Sequence, residues 1–283
     1  MDKTGTQTAL ATAGLSQLTK SVDLLTQPSI RLYTTPVEEA TLSIGKSKIG
    51  GVPDLPAGMS WPEWKGQPQS FIAQIRLDDV HQYDTGGLLP PHGLLWFFYD
   101  ASQQAFGDSP SDSGAWRVLF MDGDLSKLQR ASAPAQLPTQ SRFHACAVAF
   151  ASEITLTQQP ELEIPNLNWS ATEQQQYETV LSTLTSSDDR TKAHNRLLGY
   201  PDTIQDDMRL QCQLVSQGVT DANDPRTAAL SKGALDWQLL LQIDSDEQAG
   251  MRWGNSGMLY YWIKRADLQT RHFDRTWLVL QSE

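Results

Sequence analysis

Two glutamines sit where an amide is costly. Gln74 lies in the run Phe71-Ile72-Ala73-Gln74-Ile75 and Gln242 in Leu239-Leu240-Leu241-Gln242-Ile243. An unpaired amide inside an apolar strand costs on the order of 1–3 kcal/mol, so each must find partners. Each either pins a neighbouring loop or lines a cleft that binds a ligand or peptide. Asp54 and Asp202 each follow a proline in a Gly-x-Pro-Asp turn. A carboxylate there commonly bonds its own turn backbone, and ligand contact is the alternative. Asp244, Asp246 and Glu247 form an acidic cluster, with alternation putting Asp244 and Asp246 on one side. Hard cations take several carboxylate oxygens. No Asp-x-Asp-x-Asp-Gly loop is present, so the expectation is a solvated or partner-facing acidic face. Trp61, Trp64 and Trp253 lie in loops bounded by Pro or Gly. Such tryptophans stack on ligands, anchor partners or plug gaps.

Other chemistry is poorly supported. Ala40 to Ser47 satisfies a permissive phosphate-loop pattern. A phosphate cradle needs a helix to follow, and Gly50, Gly51, Pro53 and Pro56 oppose one, so a surface loop is expected. The five histidines, His81, His92, His144, His194 and His272, show no metal spacing. Gly107-Asp108-Ser109 lacks the strand and partners of an esterase elbow. His144 and Cys146 share a strand face, but that proximity alone does not activate a thiol. No catalytic residue, metal or cofactor is expected.

The elements that must position these residues are mostly strands. Residues 8–26 have helical spacing, which Pro28 ends. Strands are expected at 29–34, 71–77, 93–99, 116–121, 143–156, 239–243, 258–263 and 277–280. In the aromatic strand Leu94, Trp96 and Phe98 share one face and Leu95, Phe97 and Tyr99 the other, so both faces need cover. Residues 45–68 read as a loop of tight turns, 101–114 as a flexible loop and 131–140 as linker-like. Ser170 and Glu173 form a capping box that opens a helix over 171–185. A second helix is expected over 206–217, capped by Asp206 and Asp207 and closed by Gly218.

The 283 residues carry 22 Lys and Arg against 33 Asp and Glu, a net charge of −11. Such a balance argues against a broad nucleic-acid or anionic-membrane surface. The acidity is uneven, −3 over residues 1–150 (11 basic, 14 acidic) and −8 over 151–283 (11 basic, 19 acidic). A steered partner is therefore basic and prefers the later part. The start of the chain lacks an apolar signal core, no stretch is long enough for a transmembrane helix, and Cys146 and Cys212 read as free buried thiols. A cytoplasmic protein is expected.

Three signals recur in the same order: a Gly-x-Pro-Asp turn (Gly51 to Asp54; Gly199 to Asp202), an apolar strand bearing Gln (Gln74; Gln242), and a Gly-led aromatic strand (Gly93 to Phe98; Gly257 to Trp262). This order predicts an internal duplication. The fold expected is α+β, with duplicated antiparallel repeats about a pseudo-two-fold axis and peripheral helices. Residues 1–28 form an N-terminal helical segment. Residues 29–283 form one body, with repeats over about 41–130 and 190–283 joined by a strand and helix over 131–189.

The stretch Gly45-Lys-Ser-Lys-Ile-Gly-Gly-Val-Pro-Asp-Leu-Pro56, with Trp61-Pro62, Phe71 to Ile75 and Leu89 to Phe98, resembles the YwqG-like family of bacterial proteins of unknown function. Leu198 to Asp202, Leu239 to Asp246 and Trp253-Gly254-Asn255-Ser256-Gly257 agree, so the likeness runs over about 41–280. Asn255 departs from the pattern, which has Asp there. The resemblance implies a duplicated α+β fold and no established activity. The company some relatives keep with toxin gene clusters implies an immunity or partner-binding role.

The reading of the chain is a non-enzymatic module that binds a basic protein partner, in immunity-type form an inhibitor of a basic toxin. The alternative is an enzyme or small-molecule binder with a cleft between the repeats. Gln74, Gln242, Asp54, Asp202, Asp244, Asp246, Trp253 and Asn255 are the candidate binding residues.

Overall fold

The computed structural model describes residues 2–186 and 192–283. Its main element is a ten-stranded antiparallel sheet: β1 (Thr26–Pro36), β2 (Lys48–Ile49), β3 (Ser70–Arg76), β4 (Leu94–Tyr99), β5 (Trp116–Met121), β6 (Cys146–Leu156), β7 (Asn195–Leu197), β8 (Trp237–Asp244), β9 (Met258–Lys264) and β10 (Trp277–Gln281). The spatial order is β10-β9-β8-β7-β1-β6-β2-β3-β4-β5. β1 and β6 pair over all eleven residues, from Thr26 opposite Leu156 to Pro36 opposite Cys146, with Arg31 opposite Ala151 at the centre. On one side lie β2 to β5, and on the other β7 to β10.

The strand read as part of a connection, Cys146–Leu156, is thus central, as is β1. Its pattern of partial burial hid how completely its backbone is paired. The two sides interlock: β1 pairs with β7, and β6 with β2. The junction set between residues 189 and 190 lies outside the described residues.

The sheet curls until its ends meet, which makes it nearly a closed barrel. Trp116 of β5 and Trp277 of β10 meet edge to face, with ring centroids 4.9 Å apart. Phe97 of β4 meets Tyr261 of β9 at 5.2 Å, and Tyr261 Oη donates to the Phe98 carbonyl. One core cluster therefore contains residues of both sides, Ile30 to Leu280. The aromatic strand is covered on both faces, as its composition requires. Leu95, Phe97 and Tyr99 face the main core, whereas Leu94, Trp96 and Phe98 pack with Leu55, Phe71 and Leu128.

The helices cover the outside. The helical spacing of residues 8–26 is realised as three pieces, Lys3–Thr12, Ser16–Thr19 and Val22–Leu25. Gly14 at φ +83° turns the chain after the first piece. Pro28 does not end a helix; it lies inside β1, opposite Ile154. β7 reaches only Ile30–Leu32, so at Pro28 the missing N–H falls where β1 has a single neighbour. The capping box forms, with Ser170 N donating to Glu173 Oε2 at 2.7 Å and Glu173 N to Ser170 Oγ at 3.3 Å. It opens the helix Ala171–Ser186, whose Tyr177 and Val180 pack on Leu10, Leu15, Leu18 and Leu25. The later helix is shorter than expected, Arg209–Val215. Asp207 accepts from Arg209 N, while Asp206 contributes only its carbonyl, to Gln281. No helix among the described residues is long and apolar enough to cross a membrane.

Candidate functional site

Both glutamines pin a turn, and they do so in the same way. In the first half, β2 leaves the sheet through Gly50 and Gly51, at φ +69° and +72°. This brings Asp54 back over β3. Asp54 N donates to Gln74 Oε1 at 2.8 Å, and Gln74 Nε2 donates to Asp54 Oδ2 at 3.0 Å and to the Lys46 carbonyl at 2.8 Å. Trp96, paired with Gln74 across the strands, donates Nε1 to Asp54 O at 3.0 Å. Lys48, also opposite Gln74, places Nζ 3.5 Å from Asp54 Oδ1. In the second half Leu198 and Gly199 take φ +60° and +79°. Asp202 N donates to Gln242 Oε1 at 2.9 Å, and Gln242 Nε2 to Asp202 Oδ2 at 3.0 Å and His194 O at 2.7 Å. Tyr260, opposite Gln242, donates to Asp202 O at 2.6 Å, and Arg196 Nη2 lies 2.8 Å from Asp202 Oδ2.

The turns, glutamines and aromatic strands were legible in sequence; the two basic residues were missed. Lys48 and Arg196 each stand six positions before the aspartate, and that shared spacing was the available signal. The β3 and β8 registers also break at the same place, between Phe71 and Ala73 and between Leu239 and Leu241.

The two clusters differ in surroundings. Lys48, Asp54, Gln74 and Trp96 are all fully buried. Glu39 reaches Lys48 Nζ at 3.0 Å, and Arg130 Nε lies 3.0 Å from Asp54 Oδ1. Burial opposes charge on Asp54, but hydrogen bonds from Gln74 and Arg130 hold its carboxyl below the usual range. Burial lowers the Lys48 pKa against the pull of Asp54 and Glu39. The loop over Gly45 to Ser47 folds onto this cluster, with Gly45 N donating to Asp54 Oδ2, and β2 follows it instead of a phosphate-binding helix. In the second cluster Asp202 is partly open to solvent, and His194 Nδ1 lies 3.3 Å from its Oδ2. Burial raises the Asp202 carboxyl, yet Arg196 and the bonds from His194 and Gln242 hold it well below the ordinary range.

Asp202, Arg196 and His194 border a cavity of about 280 Å³ over the central strands, together with Arg31 and Glu153. Beside it, sharing Tyr33, opens a cleft of about 660 Å³ lined by Thr34, Pro36, Lys192, Asp244, Asp246 and Glu247. Asp244 is half-buried, and its Oδ2 accepts from His194 N at 2.8 Å. Burial pushes its carboxyl up. Asp246 is buried and accepts from Thr34 Oγ1 at 2.7 Å and Asn195 Nδ2 at 3.3 Å. Glu247 is exposed at the mouth.

Trp253 is a plug, fully buried between Tyr99 and Phe143, with Nε1 donating to Asp244 O. Asn255 is exposed, beside Arg252 and away from the cleft lining. The cleft thus gathers Asp244 and Asp246 and stands next to Asp202, whereas Asp54 and Gln74 lie in the other half. Trp61 donates Nε1 to Gln69 O and covers Phe98. Burial, with Asp246 nearby, pushes the Cys146 thiol up to about 11, and burial raises Cys212 well above its ordinary value, which disarms both as nucleophiles. Among the described residues no three His, Cys, Asp or Glu side chains converge as a metal site.

A family model described as a domain of unknown function, DUF1963, matches residues 47–282. No curated protein matches the chain.

Proposed function

Because the chain belongs to the DUF1963 family, a domain of unknown function, we propose a function from its geometry: it is a non-enzymatic binding module whose acidic cleft receives basic side chains of a protein partner. The observation that carries this is the cleft between Tyr33–Pro36 and Asp244–Gln248. It sets three acidic residues, Asp244, Asp246 and Glu247, against Lys192 along one opening. Acidic surfaces steer and orient basic partners. The excess of acid over residues 151–283 extends the same field. In its finer form the module is an immunity-type inhibitor of a basic toxin, working in a reducing cytoplasm that keeps Cys146 and Cys212 free.

The deciding experiment is native mass spectrometry of the protein purified gently, at low salt, from its own cells. A retained basic protein that salt releases supports the reading. Retention of no protein at low salt overturns it. A second reading rests on the cavity of about 280 Å³ beside Asp202, whose mixed charges suit a small polar molecule. An added mass of a few hundred daltons favours that reading.

The same geometry supports an internal duplication, and the family match over residues 47–282 is consistent with a YwqG-like assignment. The palindromic strand order, the two matched bulges and the two Asp–Gln–aromatic–base clusters favour copies running over β1–β5 and β6–β10. The copies then begin earlier than 41 and 190, because each includes a central strand.

A further inference from the structure

Trp262 has an indole N–H that the fold does not use. It is 2% exposed, and its Nε1 has no partner. The other buried indoles all donate: Trp96 to Asp54, Trp116 to Thr276, Trp237 to Gln213, Trp253 to Asp244 and Trp277 to Gly107. Gln238 Nε2 is likewise buried without a partner. Both side chains line one crevice, between the start of β8 and the chain over Thr157–Gln159 and Gly199–Thr203. Its volume of about 20 Å³ admits one oxygen-sized group. Packing alone does not call for an indole here. Counting two residues on from Trp96 and from Tyr260, the place of Trp262 is held in the first half by Phe98, which has no polar atom and is covered by Trp61.

We propose that this crevice binds the carbonyl oxygen of a neutral amide ligand, with the Trp262 and Gln238 N–H groups as its donors. Two donors with no acceptor select an acceptor atom. The surrounding charge selects a neutral one. Arg209 at the crevice is already paired with Glu163 at 2.6 Å and Asp207 at 2.8 Å, so this group sums to one negative charge and opposes a carboxylate or phosphate. The amide N–H then meets the rest of the polar lining, Gln27, Gln159 and the Asp207 carboxylate, whose two oxygens already accept from Arg209. This site lies at the opposite end of β8 from the acidic cleft, so it goes beyond the partner-binding reading and stands or falls separately.

The test uses the full chain, labelled with nitrogen-15, and acetamide as the probe. The Trp262 indole resonance is assigned by its loss in Trp262→Phe, a substitution that copies Phe98. Millimolar acetamide is expected to move that resonance downfield, saturably, while sodium acetate leaves it in place. Gln238→Leu is expected to fold with an unchanged melting temperature and to bind acetamide about tenfold more weakly. A resonance that does not move, an equal response to acetate, or a long-lived water that acetamide fails to displace each overturns the proposal.

Discussion

Gln74 and Asp54 hold one another twice: Asp54 N donates to Gln74 Oε1 at 2.8 Å, and Gln74 Nε2 donates back to Asp54 Oδ2 at 3.0 Å. The pair lies between a strand and the turn that crosses it, so it joins two parts of the fold that no backbone ladder joins. Gln242 and Asp202 repeat the arrangement.

Gln74→Leu keeps the volume and removes all four hydrogen bonds of the amide, to Asp54 N, Asp54 Oδ2, the Lys46 carbonyl and Trp96 Nε1. Asp54 N and the Lys46 carbonyl then lose their partner in a dry site, at about 1–3 kcal/mol each. The expected loss is about 3 kcal/mol, read as a lower urea midpoint with an unchanged slope. Gln242→Leu is expected to cost less, because Asp202 is reachable by water. An unchanged midpoint in both variants would remove the structural role. Intact stability with lost ligand would assign the glutamines to a binding site instead.

Acid should unfold the protein through the same aspartates. Asp54 and Asp202 both titrate below the ordinary carboxylate range in the folded chain. The unfolded chain therefore binds protons first as pH falls. Their stabilisation is fully present above the unfolded pKa of about 3.9 and is lost as pH falls through the folded values. Asp54→Asn and Asp202→Asn should each flatten the fall of melting temperature below about pH 4. A parallel fall in wild type and variants would show that other carboxyls carry it.

Arg196 and Lys48 occupy matching places but are not interchangeable. Arg196 reaches both Asp202 oxygens, the Tyr200 carbonyl and Glu153. A lysine ammonium cannot span that set. Arg196→Lys is expected to cost about 1–3 kcal/mol, the scale of charged hydrogen bonds lost in a buried site. A loss smaller than that of an exposed substitution, such as Arg226→Lys, would refute the argument.

Much of this arrangement was readable before the structure. Period-two alternation located the aromatic strands. The cost of burying an amide required that Gln74 and Gln242 find partners, and a neighbouring loop was one of the two readings it left. What escaped notice depends on register. Lys48 and Arg196 look like ordinary charged residues until strand pairing sets them opposite the glutamines. The central place of Cys146–Leu156 was hidden because its partner, Thr26–Pro36, lies more than a hundred residues earlier and contains a proline. Trp253 looked available because glycine borders its loop, yet loop and indole fold inward together.

The acidic cleft makes the last prediction. Burial, with Asp202 nearby, raises the Asp244 carboxyl, so its ionised form is the strained one in the free protein. A raised folded pKa makes Asp244 a destabilising charge at neutral pH, relieved as pH falls through the folded value. A partner ammonium or guanidinium favours the ionised form, so binding should release a proton where Asp244 is part-protonated and weaken as pH falls. Asp244→Asn retains an acceptor for His194 N, and so should fold normally. With Glu247→Gln it should slow association with a lysine-rich peptide at low salt and flatten the pH and salt dependence, read by stopped-flow fluorescence. Unchanged association in the double variant would place the basic partner elsewhere on the surface.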